Sequence, residues 1–448
     1  MSTAINDANG WFFLDDELLS EGLVSDMFPE DDILDELLLD DDDEVMWLQH
    51  SFAQTPRKDK WKKYNRLDWD LHVEKLFHED LFEETYRMNV QSFYKLVNLL
   101  GDDIVVDPDK SANSTGGTYQ PTLPEVFAGC GLRYLGENDS LKAISDIFDH
   151  SKSTTKRCIN QFIDAVNNCK ALEPKLPTTE PELRKLAAGF ASKSRAGDLM
   201  YGVIGAIDGW LCTINCPQGI PDPSKYHSGH YQRYGINVQA VSDSEGRLYY
   251  VALAAPGRTN DARAFDKCTT LRQWLDQLPD AYFLLGDNAY PLSDDLLIPF
   301  SGSLRDLPLN DAYNFYLSQL RIRVEQAFGF LTNKWRIFRK NLEHDLPNIR
   351  RVLECCIRLH NYCIDERQIL TDERGNNINR GPNEHYKYRE TAAQDDTTSV
   401  PMQQGTARRS VLVEQLGSIG LERPAYNLER NTITNRIERT TIPNQAAM

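Results

Sequence analysis

Three carboxylates stand where a chain can bring acids together. Asp208 ends an apolar run in GAIDG, and Asp287 ends another in FLLGDNAYP. Glycine beside each one lets a backbone or a ligand come close. Glu325 lies next to Val324 and Phe328 in the apolar stripe of a long helical segment. Because converging carboxylates repel one another, a site built from them requires a cation.

The chemistry expected of such a set is phosphoryl transfer. Hard oxygen ligands suit Mg²⁺ or Mn²⁺, and we expect two such ions. A metal pair about 3.5–4 Å apart activates a water or a sugar hydroxyl and stabilises the leaving oxygen at phosphorus. No side-chain nucleophile is then needed, and no Ser-His-Asp or Cys-His set stands out in the sequence. The predicted catalytic and metal-binding residues are Asp208, Asp287 and Glu325.

The segments after residue 198 predict the fold that would position these acids. The pattern reads strand, strand, strand, helix, strand, helix, helix, with a hairpin turn at SEG between GINVQAVSD and GRLYYVALAAP. This order is the ground plan of a ribonuclease-H-like α/β domain, a mixed sheet flanked by helices, here over residues 198–366. Its first and fourth strands are neighbours, which would place the two aspartates side by side. Glu325 would lean over the sheet edge from the long helix.

Two helical segments precede that domain, over residues 51–106 and 122–190. In the second, two apolar-faced helices flank the polar turn DHSKS, as in a helix-turn-helix. The second helix would begin near Ser153 and present its first turns to DNA. A plain helical hairpin with a solvated face is the alternative. The candidate DNA contacts on this helix are Lys152, Thr155, Lys156 and Arg157.

Further basic residues are candidates for phosphate contact. One group lies in the polar loop after the first strand, and a solvated loop is its alternative. Another surrounds Glu325 in sequence, where charges can also serve only to keep a long helix soluble. The candidates are Lys225, His227, Arg233, Arg321, Arg323, Lys334 and Arg336.

The same loop contains a pattern that resembles a zinc site, C-x₃-C-x₁₀-H-x₂-H, formed by Cys212, Cys216, His227 and His230. If residues 211–216 continue a strand, its two cysteines lie about 13 Å apart at roughly 3.3 Å per residue. That separation disfavours a shared ion.

Charge is distributed unevenly along the chain. The net charge is −18, and residues 1–50 hold 16 Asp and Glu but no Lys or Arg. Subtracting these 16 from the 67 acids leaves 51 against 49 Lys and Arg, so the body is nearly neutral and compatible with DNA binding. We interpret residues 1–50 as an acidic disordered tail, which either solvates the chain or docks on a partner. Residues 367–448 are predicted to be mostly disordered, with a short helix at RRSVLVEQLG.

Composition also bears on location. No apolar run reaches about 18 residues, so no membrane span is expected. The start of the chain lacks a basic-then-apolar signal pattern, which argues against secretion. Nine scattered cysteines suit a reducing compartment, and RKDKWKK at 57–63 is a candidate nuclear import signal, so we predict a nuclear protein.

Several ordered motifs resemble the Harbinger-type transposases and their relatives, the DDE superfamily endonucleases. They are GAIDGW, INVQAVSDSEGRLYYVALAAPGRTNDARAF, LLGDNAYPL, LRIRVEQAFGFLTNKWRIF and CCIRLHNYC, within residues 200–366. The resemblance implies that Asp208, Asp287 and Glu325 are the catalytic acids. Where the family often has a histidine before an aspartate, this chain has Asn260 before Asp261. Asp261 is then either a supporting acid or a charge at a helix N-terminus.

The resemblance also implies an activity and partners. Similar enzymes cut DNA at transposon ends and join the freed 3′-hydroxyl to target DNA, usually with a Myb-like DNA-binding protein. We therefore expect a metal-dependent DNA endonuclease or transposase that acts as a homo-oligomer. The alternative is a domesticated protein that binds DNA or chromatin without cutting it. Replacement of a triad acid would favour that alternative, and all three acids are present.

Overall fold

The computed structural model describes residue 64 and residues 67–105, 122–369 and 407–424. The acidic segment 1–50, the basic cluster 57–63 and most of the segment 367–448 lie outside the described residues, so the expectations for them stay predictions.

A mixed six-stranded sheet forms the centre of the C-terminal half. Its strand order is β4-β3-β1-β5-β6, with the short β2 paired to the free end of β3. The meander β1-β3-β4 is antiparallel, whereas β5 and β6 continue the sheet parallel to β1. The expected α/β architecture, with the first and fourth long strands as neighbours, is therefore confirmed. The strands are β1 (Val203–Thr213), β2 (His227–Ser228), β3 (Arg233–Ser242), β4 (Leu248–Pro256), β5 (Phe283–Leu285) and β6 (Leu296–Leu297).

Helices cover both faces of this sheet. Alternating strand residues such as Ile204 and Val241 pack on one face against α7, α8 and α9. On the other face, Ala206 and Val238 share a core with α10 and α11. The helices are α7 (Glu180–Lys193), α8 (Asp261–Lys267), α9 (Thr269–Leu275), α10 (Pro308–Lys334) and α11 (Leu346–Ile369).

Two helix boundaries differ from expectation. The segment expected as one helix near 259–278 breaks at Cys268 into α8 and α9. The long helix begins at Pro308, a residue that suits the first helical position, and ends at Lys334. A separate 3₁₀ turn, Arg336–Arg339, follows it. Residues after Lys334 therefore leave the direction of α10.

The turn between β3 and β4 follows from its sequence, SDSEGR. The Asp243 carboxylate accepts the main-chain N–H groups of Glu245 and Arg247 at 2.8 and 2.9 Å. Gly246 has φ +90°, a conformation that side-chain-bearing residues rarely adopt. These features close the hairpin that the sequence predicts.

An amide side chain covers part of the outer edge of the sheet. Asn361 of α11 accepts the Leu248 N–H at 2.9 Å and donates to the Leu248 carbonyl at 2.8 Å. This pair satisfies main-chain groups at the start of β4, the edge strand. It gives a structural reason for an asparagine in CCIRLHNYC.

The N-terminal half contains six helices among the described residues. Serine side chains cap both helices of the predicted hairpin, because Ser140 and Ser151 accept the N–H groups of Ala143 and Thr154. The helical hairpin is therefore confirmed, while its role as a DNA-reading helix-turn-helix stays a prediction. The helices are α1 (Trp69–His78), α2 (Phe82–Tyr86), α3 (Val90–Leu100), α4 (Pro124–Glu137), α5 (Leu141–Phe148) and α6 (Lys152–Asn168).

The two halves share one hydrophobic core, which runs from Trp69 and Phe162 to Val352. Polar contacts reinforce it, since Arg351 of α11 pairs with Asp164 of α6 at 2.5 Å. The helical half is thus packed directly on α11.

A last short helix, α12 (Ala407–Ser418), lies where RRSVLVEQLG predicts one. Its Leu412 and Leu416 pack with Tyr313 and Leu317 of α10, and the Arg409 guanidinium lies 4.0 Å from the centre of the Phe300 ring. Of the helices in the described ranges, none has the length and apolar character needed to cross a membrane.

Candidate active site

Two aspartates lie at the same level on neighbouring strands. In the parallel pair of β1 and β5, Ala206 is in register with Leu285. Asp208 and Asp287 each follow their register partner by two residues, so they lie side by side. Asp287 stands just beyond the carboxyl end of β5, whereas Asp208 lies inside β1, which continues to Thr213. The carboxyl end of a parallel strand is the edge at which open α/β sheets bind ligands.

Glu325 reaches this edge from α10, which packs across β1 and β3. One helical turn before it, Arg321 places its guanidinium between the acids. Its Nη2 lies 2.5 Å from Glu325 Oε1, and its Nη1 lies 3.7 Å from Asp208 Oδ2. The side chains of Asp208 and Arg321 are only 17% and 15% exposed, so water screens this contact weakly.

The buried acids perturb one another. Burial raises the pKa of Asp208 well above its usual range, the Arg321 charge opposes this, and the carboxylates of Asp287, Glu325 and Asp261 add to the rise. Burial likewise raises the pKa of Asp287, while the N–H of Ala289 and the charge of Arg321 oppose the rise.

A fourth acid belongs to the same cluster. Asp261 is the first residue of α8, after the N-cap Asn260, so it carries a helix N-terminal charge. Its Oδ1 also accepts hydrogen bonds from Asn237 at 3.0 Å and Gln239 at 2.9 Å. The two roles that the sequence left open for Asp261 are therefore combined in one residue.

Gly209 makes room for that carboxylate. A Cβ at this position would lie 2.0 Å from Asp261 Oδ1 and 2.7 Å from Gln239 Nε2, which is far inside van der Waals contact. The glycine after Asp208 thus lets α8 bring its acid against β1.

Buried polar residues connect this acid to the loop of Asp287. The Tyr290 hydroxyl donates to Gln239 Oε1 at 2.6 Å, and Gln239 Nε2 donates to Asn237 and Asp261. Sequence reasoning missed Asn237, Gln239 and Tyr290. A signal was present, since Asn237 and Gln239 alternate within an apolar strand and so share one face.

The cluster fits divalent metal ions in charge and donor type. Four carboxylates oppose one guanidinium, and the oxygens of Asp208, Asp287 and Glu325 are hard donors. The carboxylate oxygens of these three acids do not all lie within 4.8 Å of one another in this structure. A different group of described side chains does meet that distance condition. The Arg321 guanidinium lies between Asp208 and Glu325 and neutralises part of their charge.

The polar loop that leads into β3 lies beside this cluster of acids. Tyr231 is partly exposed, and desolvation of its hydroxyl together with the carboxylates of Asp208, Asp261 and Asp287 raises its pKa. Tyr231 follows β2 in the loop that leads into β3, and Arg233 at the start of β3 is exposed. His227 and Lys225 are half-buried in the preceding turn. The expectation that this loop borders the site is consistent with these positions.

On the first turns of α6, three predicted DNA contacts face outward and one does not. Lys152 and Arg157 are exposed and Lys156 is half-buried, and Lys156 and Arg157 line a groove of about 580 Å³. Thr155 is fully buried and hydrogen-bonds to Ser145 Oγ and the Ser151 carbonyl. The prediction for Thr155 is therefore wrong, because the residue faces the core.

The basic residues near Glu325 in sequence also separate in space. Arg321 belongs to the acid cluster, and Arg323 donates to Gln326 on the same helix. Lys334 donates to the Arg87 carbonyl at 2.8 Å, and Arg336 pairs with Glu137 at 2.7 Å. The last two therefore contact the helical half, and their contact with DNA stays a prediction.

The zinc-like pattern in the loop does not assemble. Cys212 is buried in β1, His230 is exposed, and these residues are absent from the group of described side chains whose ligand atoms converge.

Comparison with known proteins defines the class. Residues 207–361 match the family model described as DDE superfamily endonuclease. The match contains Asp208, Asp287 and Glu325, and it begins and ends within β1 and α11. This match confirms the resemblance to the DDE superfamily endonucleases that the sequence motifs indicate.

A particular relative extends the likeness beyond that domain. The chain is 24% identical over 334 residues to "Protein ALP1-like" of Arabidopsis thaliana, and the alignment covers 71% of this chain and 79% of that protein. No solved structure matches the chain.

Proposed function

We propose that the protein is a metal-dependent DNA endonuclease that cuts phosphodiester bonds and transfers the freed strand, as a Harbinger-type transposase. One observation carries the proposal: Asp208 of β1 lies beside Asp287, just after the parallel strand β5, and Glu325 reaches the same place from α10. The match of residues 207–361 to the endonuclease family supports it.

Each residue has a proposed role. Asp208, Asp287 and Glu325 would hold Mg²⁺ or Mn²⁺, which would supply charge neutralisation and an activated oxygen nucleophile. Gln239 and Asn237 fix the Asp261 carboxylate, and Tyr290 fixes Gln239. These buried bonds hold the acidic edge rigid while DNA binds.

The DNA would approach over the loop that ends in β3. Tyr231 is 56% exposed although the acid cluster influences it, so its ring is available to a base or sugar. The residues proposed for phosphate contact here are Lys225, His227 and Arg233, with Lys152, Lys156 and Arg157 on α6 as a second contact region. Nuclear localisation, a homo-oligomer and a Myb-like partner protein belong to the same proposal.

A nicking assay tests the chemistry. Full-length protein is incubated with Mg²⁺ or Mn²⁺ and a duplex that carries the inverted repeats flanking its gene. We expect strand cleavage that D208N, D287N and E325Q each reduce by at least about 10²-fold, the order of loss expected when electrostatic stabilisation of a transition state is removed. The matched control is D266N, which alters an exposed aspartate on α8.

Two outcomes would contradict the proposal. Wild type and D287N could be equally inert with both metals although folded and able to bind the DNA, which would favour the non-cleaving alternative. Cleavage by D287N at the wild-type rate would show that the nuclease activity arises elsewhere.

A further inference from the structure

A second cluster of metal-binding side chains lies in the helical half, away from the acids. Cys130 of α4, His150 of the α5–α6 turn and Cys158 of α6 each offer one ligand atom, and these atoms all lie within 4.8 Å of one another. The cysteines are fully buried and His150 is 5% exposed. Among the described residues, these three form the group of His, Cys, Asp or Glu side chains whose ligand atoms meet this distance condition.

Local structure fixes His150 toward the cysteines. Asp149, the C-cap of α5, adopts a left-handed conformation with φ 44°, and this turns the chain sharply. The His150 N–H then donates to the Ser145 carbonyl at 3.0 Å. The imidazole is thereby held inside the helical hairpin.

The buried imidazole also has an unused nitrogen. Nδ1 of His150 lies inside the protein with no hydrogen-bond partner in the structure. A buried polar atom without a partner costs about 1–3 kcal/mol, so such an atom requires an explanation. A bound ion would explain it, because neutral imidazole binds metals through a ring nitrogen.

We propose that Cys130, His150 and Cys158 bind one Zn²⁺ ion. Thiolate sulfur and imidazole nitrogen are typical zinc ligands, and three protein ligands leave one tetrahedral position for water. Mg²⁺ and Mn²⁺ prefer oxygen donors, so the two sites select different metals.

The proposed ion joins α6 and the turn before it to α4, which lies earlier in the chain. Cys130 and Cys158 belong to helices α4 and α6, and His150 is in the turn that precedes α6. A bond from each to one ion fixes the start of α6. Lys152, Lys156 and Arg157 occupy that start, so zinc would hold the basic face of α6 in place.

Metal content of the purified chain is the direct test. Full-length protein is expressed with zinc in the medium and purified without chelators, and metal per chain is measured by mass spectrometry. We expect one zinc per wild-type chain and its loss in C130S and C158S. C169S is the matched control, since Cys169 lies just after α6 and outside the cluster. The D208N/D287N double variant should keep the zinc, which separates this site from the acids.

A spectroscopic readout keeps the proposal testable even where a serine variant does not fold. Cobalt(II) added to the zinc-free wild-type protein should give thiolate charge-transfer absorption, and H150C should retain the metal with a stronger thiolate band. A reduced, folded wild type that contains no zinc and gives no cobalt bands would overturn the proposal. A Cys130–Cys158 disulfide in the protein freshly purified without added reductant would also overturn it and identify a redox pair instead.

Discussion

Arg321 and Glu325 form an ion pair one helical turn apart on α10, with 2.5 Å between Nη2 and Oε1. The same guanidinium faces Asp208, so one cation neutralises part of an acidic cluster. Burial of Arg321 lowers its pKa, but the carboxylates of Glu325, Asp208 and Asp287 outweigh this and raise it. Arg321 therefore stays charged, and we expect it to oppose the binding of a metal ion by these acids.

Removal of that charge should strengthen metal binding. In R321Q the acids lose their internal counter-ion, so we expect Mn²⁺ affinity to rise by about tenfold, or 1.4 kcal/mol, a modest share of the attraction between close charges. Calorimetric titration with Mn²⁺ measures this. R323Q is the control, because Arg323 bonds to Gln326 instead. Unchanged or weaker binding by R321Q would show that Arg321 does not compete with the ion.

The space beside Gly209 provides a second prediction. In G209A the new methyl group would displace the Asp261 carboxylate or push α8 away from β1. We expect a stability loss of about 1–3 kcal/mol in chemical denaturation and a larger proportional loss of DNA cleavage. G229A should leave the stability unchanged, since no heavy atom lies within 4 Å of the corresponding position. Wild-type cleavage by G209A would mean that the position of Asp261 is unimportant.

The hydrogen bond between Tyr290 and Gln239 provides a third prediction. In Y290F the buried Gln239 Oε1 loses its donor, so we expect a loss of about 1–3 kcal/mol in the free energy of unfolding. Cleavage should also fall, because Gln239 positions Asp261. Y201F removes a hydroxyl from a tyrosine that is 44% exposed and should be neutral. Equal stability of Y290F and Y201F would argue against a buried network.

The sequence allowed much of the sheet to be predicted, because apolar runs define strands and a ribonuclease-H-like order places Asp208 beside Asp287. The sequence also contained the information that Thr155 faces the core. That residue precedes Cys158 and Ile159 by three and four positions, so it shares their buried face. The position of Thr155 near a helix N-terminus indicated that DNA could reach it. Helical periodicity, however, determines which face of the helix the side chain occupies.

Other features required the three-dimensional structure. Lys334 follows Glu325 by nine residues, which is about 13 Å along a helix, and Trp335 then ends α10. Closeness in sequence therefore did not predict closeness to the acids. The role of Gln239 depends on the N-terminus of α8 packing on β3, a contact that no local pattern encodes.

The fourth prediction concerns pH and His360, a buried residue of α11. Its Nε2 lies 2.9 Å from the Gly246 carbonyl, an acceptor, so the neutral ring carries its proton on Nε2. Burial lowers the pKa of His360 to about 4, with a smaller contribution from Lys334 and Arg367, while the bond to Gly246 opposes the shift.

The unfolded chain protonates His360 near pH 6.5, whereas the folded chain protonates it near pH 4. The stability that comes from keeping His360 neutral is therefore complete above pH 6.5. It is lost progressively as the pH falls toward 4. H360Q keeps a donor for Gly246 but does not titrate, so the wild-type free energy of unfolding should fall relative to H360Q by about 3 kcal/mol over this range. Urea denaturation at several pH values measures the difference, and acids common to both proteins cancel. H78Q, which alters a histidine with a side chain 75% exposed, should show no such trend. A constant difference between wild type and H360Q would mean that His360 takes up its proton equally well in the folded chain.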